Sequence, residues 1–334
     1  MSLALHGVTK TYGSLVALRD ASLQVGASEM LAVLGPSGSG KTTLLRTIAG
    51  LARVDRGTIT LGERDVTDIE PQHRNIAFVF QDFALFPHLD VRANLAFGAR
   101  GVPGDSLAQI AKRFRIDALL DRAIDTLSGG EKQRVAVARA IASQPAALLF
   151  DEPFASLDAP LRSALRAELV DMREAAPVPS IFVTHDQSEA LALGDRVAVM
   201  AAGQIVALDT PAALLAAPPT AFVARFLGAP PANVFSGYVV DGRFTATDDA
   251  TITCDAAALE AGPWTIAVRP EAVRIDANGG VRGRVRLVEI FGVQRYASVV
   301  TTGASLVCGV GGDVRTGDVV GLTIDYARMW TYAR

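Results

Sequence analysis

Between Met30 and Ala49 the chain reads strand, loop, helix, and the loop is Gly35-Pro36-Ser37-Gly38-Ser39-Gly40-Lys41-Thr42. Met30–Leu34 is an apolar run of buried-strand length, and Thr43 to Ala49 carries a helical pattern. A G-x-x-x-x-G-K-[ST] loop in that context commits the chain to a parallel α/β sheet whose strand ends face a phosphate. Gly35, Gly38 and Gly40 permit backbone angles that turn N–H groups inward, and the helix start adds partial positive charge at the same point. Lys41 would offset the charge of the β and γ phosphates, and the Thr42 hydroxyl would bind Mg²⁺. The whole loop, with Thr43, is expected to contact a nucleotide.

Three further apolar runs end in polar residues. Ala147 to Phe150 leads to Asp151-Glu152, Asn75 to Phe80 leads to Gln81, and Ser180 to Thr184 leads to His185-Asp186. In a doubly wound sheet such ends line one cleft. Asp151 would hold the metal and Glu152 would position or deprotonate an attacking water, because two acids of one site need different roles. Taken singly, an Asp-Glu turn, a strand-end histidine, or Asp186 and Glu189 read as well as solvated or helix-start residues.

Residues 127–134 read Leu-Ser-Gly-Gly-Glu-Lys-Gln-Arg and open a helix expected over Glu131 to Gln144, with Pro145 as its stop. Ser128-Gly129-Gly130 would cap it and present N–H donors and a hydroxyl to an anion. One chain thus carries two anion-type helix starts, although Lys41 already supplies a phosphate site.

This order of motifs, with Tyr12 upstream and Phe154-Ala155-Ser156-Leu157-Asp158 downstream, resembles the ATP-binding cassette (ABC) ATPases over residues 1–228. The resemblance implies an α/β P-loop NTPase domain with an inserted helical subdomain at about residues 89–140. It implies that Tyr12 stacks on adenine, with a tyrosine packed at a strand end as the plain alternative. It further implies that Gln81 contacts Mg²⁺ and the attacking water, and that His185 contacts the γ-phosphate. Ser128, Gly129 and Gly130 of one subunit would close over ATP held by another, with Asp158 at the interface of a homodimer. Phe83 to His88 would face a permease element or pack in the core. Arg122-Ala123-Ile124-Asp125-Thr126 departs from the family by lacking a Tyr-Pro pair.

After Phe226-Leu227-Gly228, Ala229-Pro230-Pro231-Ala232 reads as a linker. Beyond it, strands are expected at Trp264–Val268, Val281–Ile290, Ala297–Val300, Leu306–Val310 and Val319–Ile324, a small-barrel pattern. Ile266 to Val273 resembles the TOBE domain, an all-β OB-like barrel appended to importer ATPases, here over residues 232–334. Arg282, Arg284 and Arg286 alternate along one strand. A solvated face is preferred to an oligonucleotide stripe, which also needs aromatic partners.

A chain of 334 residues exceeds what one core usually supports, in keeping with two domains. A net charge of −3 gives no reason to expect a nucleic-acid partner. No apolar run approaches the roughly 18 residues of a membrane span, and Met1 to His6 lacks the form of a signal peptide. Cys254 and Cys308 have no metal spacing and are expected as buried free thiols. The combined expectation is an ATPase at the cytoplasmic face of the inner membrane. It would power solute import with transmembrane permease subunits and, indirectly, a solute-binding protein. The solute itself, whether inorganic anion, iron, polyamine or sugar, stays open. A non-transport ABC ATPase acting on nucleic acid or the ribosome is the competing class. A P-loop kinase has no use for residues 127–134.

Overall fold

A computed structural model describes residues 1–99, 104–154, 162, 166, 169–170 and 177–334. Two compact units result, Met1–Pro211 and Ala212–Arg334.

The strands of the first unit are β1 (Leu3–Tyr12), β2 (Leu15–Val25), β3 (Met30–Leu34), β4 (Arg56–Leu61) and β5 (Arg64–Asp65). They continue with β6 (Ile76–Val79), β7 (Ala147–Asp151), β8 (Ser180–Thr184), β9 (Arg196–Ala201) and β10 (Gln204–Asp209). One sheet is antiparallel, in the order β2-β1-β4-β5; the other runs β10-β9-β3-β8-β7-β6. In the second sheet only β10 is antiparallel to its neighbour. All five residues of β3 and of β8 are buried, as strands covered on both faces require.

Register then aligns the strand ends. Leu34 pairs with Thr184, Val183 with Asp151, and Phe150 with Val79. The residues that follow each strand, namely Gly35, His185, Glu152 and the Phe80-Gln81 turn, therefore emerge along one edge. β6 stops at Val79, so Gln81 belongs to a turn rather than to the strand end expected from the sequence.

The helices of this unit are α1 (Lys41–Ile48), α2 (Val91–Gly98), α3 (Gly104–Arg113), α4 (Gly129–Ala142) and α5 (Gln187–Leu193). α2, α3 and α4 fall between β6 and β7 and form the inserted helical part of the α/β fold. α4 begins at Gly129 because Ser128 is already its N-cap, and ends at Ala142 because Gln144 turns left-handed before Pro145.

The second unit begins with α6 (Pro211–Ala216), whose first residue closes the preceding unit, and α7 (Ala221–Phe226). Its strands are β11 (Asn233–Val240), β12 (Arg243–Ala246), β13 (Thr253–Asp255), β14 (Gly262–Val268) and β15 (Val273–Ile275), then β16 (Val281–Phe291), β17 (Gln294–Val300), β18 (Ser305–Gly309), β19 (Val319–Ile324) and β20 (Trp330–Ala333). β15-β18-β17-β16-β19 close into a five-stranded barrel with one parallel pair, β15 and β18, the OB-like arrangement. The remaining strands form a separate sheet, β13-β12-β11-β14-β20. Trp264–Val268 therefore lies in that sheet and not in the barrel. All five of its residues pair with β11, and β20 takes its other edge, which leaves it no barrel partner.

Val285, Val299, Leu306, Cys308 and Leu322 of the barrel share a core with Phe235, Val239 and Phe244 of the sheet. Both cysteines are free and buried, and burial pushes the Cys308 thiol up to about 11. Arg282 and Arg284 donate to the carbonyls of Ala277 and Gly317, so two of the three arginines of β16 brace neighbouring loops. Among the described residues, no helix is long and apolar enough to cross a membrane.

Candidate functional site

The phosphate loop is shaped by two left-handed glycines. Gly38 has φ 77° and Gly40, the N-cap of α1, has φ 102°. A side chain at Gly40 would place its Cβ 2.3 Å from the Ala17 carbonyl, so only glycine lets the loop lie against β2. Lys41 is 7% exposed and donates to the carbonyls of Gly35 at 2.8 Å and Pro36 at 3.0 Å. Burial lowers its pKa, and the nearby Glu152 and Asp151 carboxylates work in the opposite direction.

A cleft of about 410 Å³ opens beside the loop, lined by Tyr12, Leu15, Val16, Ala17, Ser37, Gly38, Gly40, Lys41, Thr42, Thr43 and Glu152. Its size suits a small ligand. Tyr12 is 48% exposed, with the Lys10 ammonium 5.2 Å from its ring centroid. Lys10 in turn pairs with Asp55 at 2.9 Å, which also accepts from Thr11, so the end of β1 is anchored while the ring stays open.

On the far side of the loop, Thr42 Oγ1 donates to Asp151 Oδ1 at 3.3 Å. Burial raises the Asp151 pKa; the Thr42 hydrogen bond opposes this, and Glu152 adds to it. Glu152 is held at φ 47° with its N–H on the Val183 carbonyl. Its carboxylate meets His185 Nδ1 at 3.1 Å. The structure thus joins Tyr12, the loop, Asp151, Glu152 and His185 into one continuous cluster. Gln81 lies on the exposed turn after β6, and among the described residues no hydrogen bond links it to that cluster.

His185 is flanked by a network that the sequence did not reveal. Glu189, 3% exposed, accepts from the Thr184 hydroxyl at 2.5 Å. Asp186 caps α5 by accepting from the N–H groups of Ser188 and Glu189, and it pairs with Arg162 at 3.4 Å. The Arg162 guanidinium also lies 3.8 Å from Glu189. Asp186 is therefore the helix-start acid expected from its position. Glu189 turns inward because a buried hydroxyl and a cation receive it.

Ser128 stands apart from this cleft. Its hydroxyl accepts from the Glu131 N–H and donates to the Glu131 carboxylate, and its own N–H reaches the same carboxylate: a complete capping box. The hydrogen bonds from the Ser128 N–H and hydroxyl lower the Glu131 pKa. Ser128 is exposed, Gly129 half-buried and Gly130 buried. Asp158 lies outside the described residues.

Known proteins match both units. Residues 18–155 match the ABC transporter family and residues 266–331 the TOBE domain family. The chain is 41% identical to the sn-glycerol-3-phosphate import ATP-binding protein UgpC of Rhizobium meliloti (strain 1021), over 94% of this chain and 92% of that protein. It is 46% identical to the sulfate/thiosulfate import ATP-binding protein CysA of Caulobacter vibrioides, over 84% of each. The solved structure of cbiO1 from Clostridium perfringens, part of an ABC transporter complex, superposes with TM-score 0.58 at 29% identity, over 63% of this chain and 88% of that one. Subunits of this kind bind ATP, hydrolyse it to power solute import, and associate with the membrane through permease partners. The chain belongs to the ABC transporter family, as the ATP-hydrolysing subunit of an importer with a C-terminal TOBE domain.

Proposed function

We propose that two copies of the chain enclose two ATP molecules head to tail. Each copy would offer Tyr12, the phosphate loop and Glu152 to one nucleotide, and Ser128, Gly129 and Gly130 to the other. The observation that carries this reading is the separation of the two anion-type helix starts. Lys41 and Glu152 share one cleft, whereas the exposed Ser128 side chain bonds only Glu131 among the described residues. A second copy is the natural source of the phosphate that α4 would meet. Asp158 would cross that interface.

Thr42 and Asp151 offer hard oxygens in contact, which fits Mg²⁺. Among the described residues no cluster of three or more His, Cys, Asp or Glu forms a metal cage, so the ion would share the phosphate oxygens, with Gln81 as a further ligand. When bound, Mg²⁺ supplies charge neutralisation. Lys41 would exchange the Gly35 and Pro36 carbonyls for phosphate oxygens. Glu152 would orient the attacking water and take its proton. His185, released from Glu152, would donate to the γ-phosphate.

Residues 1–228 would act as the nucleotide-binding domain and residues 232–334 as the TOBE-like domain. The subunit would sit at the cytoplasmic face of the inner membrane, with a solute-binding protein delivering solute to the permease. The exposed Phe97 and the neighbouring Phe86 offer an aromatic surface suited to a permease helix. The solutes in the relatives' names are all small anions, which favours an anion among the candidate solutes.

The test is the mass of Glu152→Gln in size-exclusion chromatography, with and without Mg-free ATP. The reading expects an ATP-dependent dimer that Ser128→Arg abolishes. A mass indifferent to ATP, together with wild-type turnover in Ser128→Arg, would overturn it.

A further inference from the structure

Gln81 is the second residue of a turn closed by the Phe83 N–H on the Phe80 carbonyl at 2.9 Å. The turn continues through two successive left-handed residues that are not glycine, Phe83 at φ 64° and Ala84 at φ 46°. Such a pair persists only where its surroundings over-determine it. Here one side chain engages both of their carbonyls. Arg139, on the last turn of α4, donates to the Ala84 carbonyl at 2.8 Å and the Phe83 carbonyl at 3.1 Å. Its guanidinium also lies 5.5 Å from the centroid of Phe86. No carboxylate among the described residues pairs with it, so this half-buried cation is committed to the turn.

The neighbourhood is closely packed at one end and hydrogen-bonded at the other. Gly98 of α2 abuts α4 so closely that a Cβ there would lie 2.3 Å from the Arg139 carbonyl. The fully buried Asn94 of α2 accepts from the Phe86 N–H and donates to the carbonyls of Phe86, Leu89 and Asp90. We infer that Arg139 is a positioning residue for hydrolysis: it clamps the turn that carries Gln81 to the helix whose first residue follows Ser128, so that both approach the nucleotide as parts of one body. A planar fork is required, because two adjacent carbonyls must be engaged together. The inference rests on the role proposed above for Gln81.

The experiment compares Gln81→Ala, Arg139→Met, and Arg139→Met combined with Ala84→Gly in steady-state Mg-ATP hydrolysis. Arg139→Met is expected to lower kcat at least tenfold with KM for ATP changed less than threefold, since the phosphate loop is untouched. Glycine adopts the left-handed backbone without the Cβ penalty, so Ala84→Gly should restore kcat roughly fivefold. General loss of fold would not be rescued by an added glycine. If Arg139→Met proves insoluble, amide exchange in Arg139→Lys replaces it, with faster exchange expected at residues 83–86 and none in α1. A kcat within twofold of wild type, a parallel rise in KM, or no rescue by Ala84→Gly would each overturn the inference. Wild-type turnover in Gln81→Ala would instead overturn the role of Gln81.

Discussion

His185 Nδ1 lies 3.1 Å from Glu152 Oε2, so the residues that follow two adjacent parallel strands form one hydrogen-bonded pair. The pairing is a matter of register. Asp151 lies opposite Val183, and the next residue of β7 and the one after Thr184 meet above the sheet edge. Glu152→Gln is expected to keep ATP affinity and lower kcat by roughly 10²–10⁴, the range for loss of a positioned base. His185→Ala should also lower kcat, and the double variant should be no worse than the poorer single variant, because the pair acts as a unit. Additive losses in steady-state kinetics would show that the two act separately.

Asp151 gives a prediction with a definite sign. Burial holds its carboxyl above the usual range, so the folded protein binds this proton more tightly than the unfolded chain does. Between the ordinary and the raised value, stability therefore falls as pH rises. Asp151→Asn removes that penalty. Without nucleotide, it should melt above the wild type at neutral pH, and the gap should close as pH drops below the ordinary carboxylate range. The same variant should lose Mg²⁺-dependent turnover. A melting gap that widens on acidification would contradict the assignment.

Gly40→Ala tests the loop's shape. A residue with a Cβ at φ 102° is strained wherever it sits, and here the Cβ would also lie 2.3 Å from the Ala17 carbonyl. Strain and overpacking of this kind each cost about 1–3 kcal/mol. The expected result is a lower melting temperature together with loss of ATP binding by fluorescence titration. Retained affinity would mean that the loop finds another path past β2.

What the sequence made legible is what lies close along the chain. Met30 to Thr42 spells out strand, turn and helix start in one stretch, and each polar strand end sits beside its own apolar run. The strand before Gln81 stops one residue short of Phe80, and the turn that follows is held by Arg139, which is distant in sequence. The Arg162 contacts with Asp186 and Glu189 were illegible for the same reason: a helix-start acid and a buried acid look alike until the cation is placed. In the second unit, residues 233–255 form three strands of the separate sheet. Their polar, Asp-rich turns obscure the alternation that marks β16 and β17, so only the barrel was foreseen.

Arg269 yields the last prediction. It lies in the stretch that resembles the TOBE domain, yet its guanidinium reaches away from the barrel. It donates to the Leu227 carbonyl at 2.8 Å and the Leu215 carbonyl at 3.1 Å, and stacks 5.0 Å from the Trp330 ring. Trp330 donates to the Ala216 carbonyl, and Tyr332 to that of Pro218. One arginine and two aromatics thus fasten α6 and α7 to β14 and β20, which is why these helices belong to the second unit. Arg269→Met leaves two carbonyls without their charged donor, a loss of about 1–3 kcal/mol. Amide exchange should accelerate at residues 212–227 while α1 stays protected, and ATP affinity should hold within about twofold. Unchanged exchange at 212–227 would mean that Trp330 and Tyr332 suffice to dock the two helices.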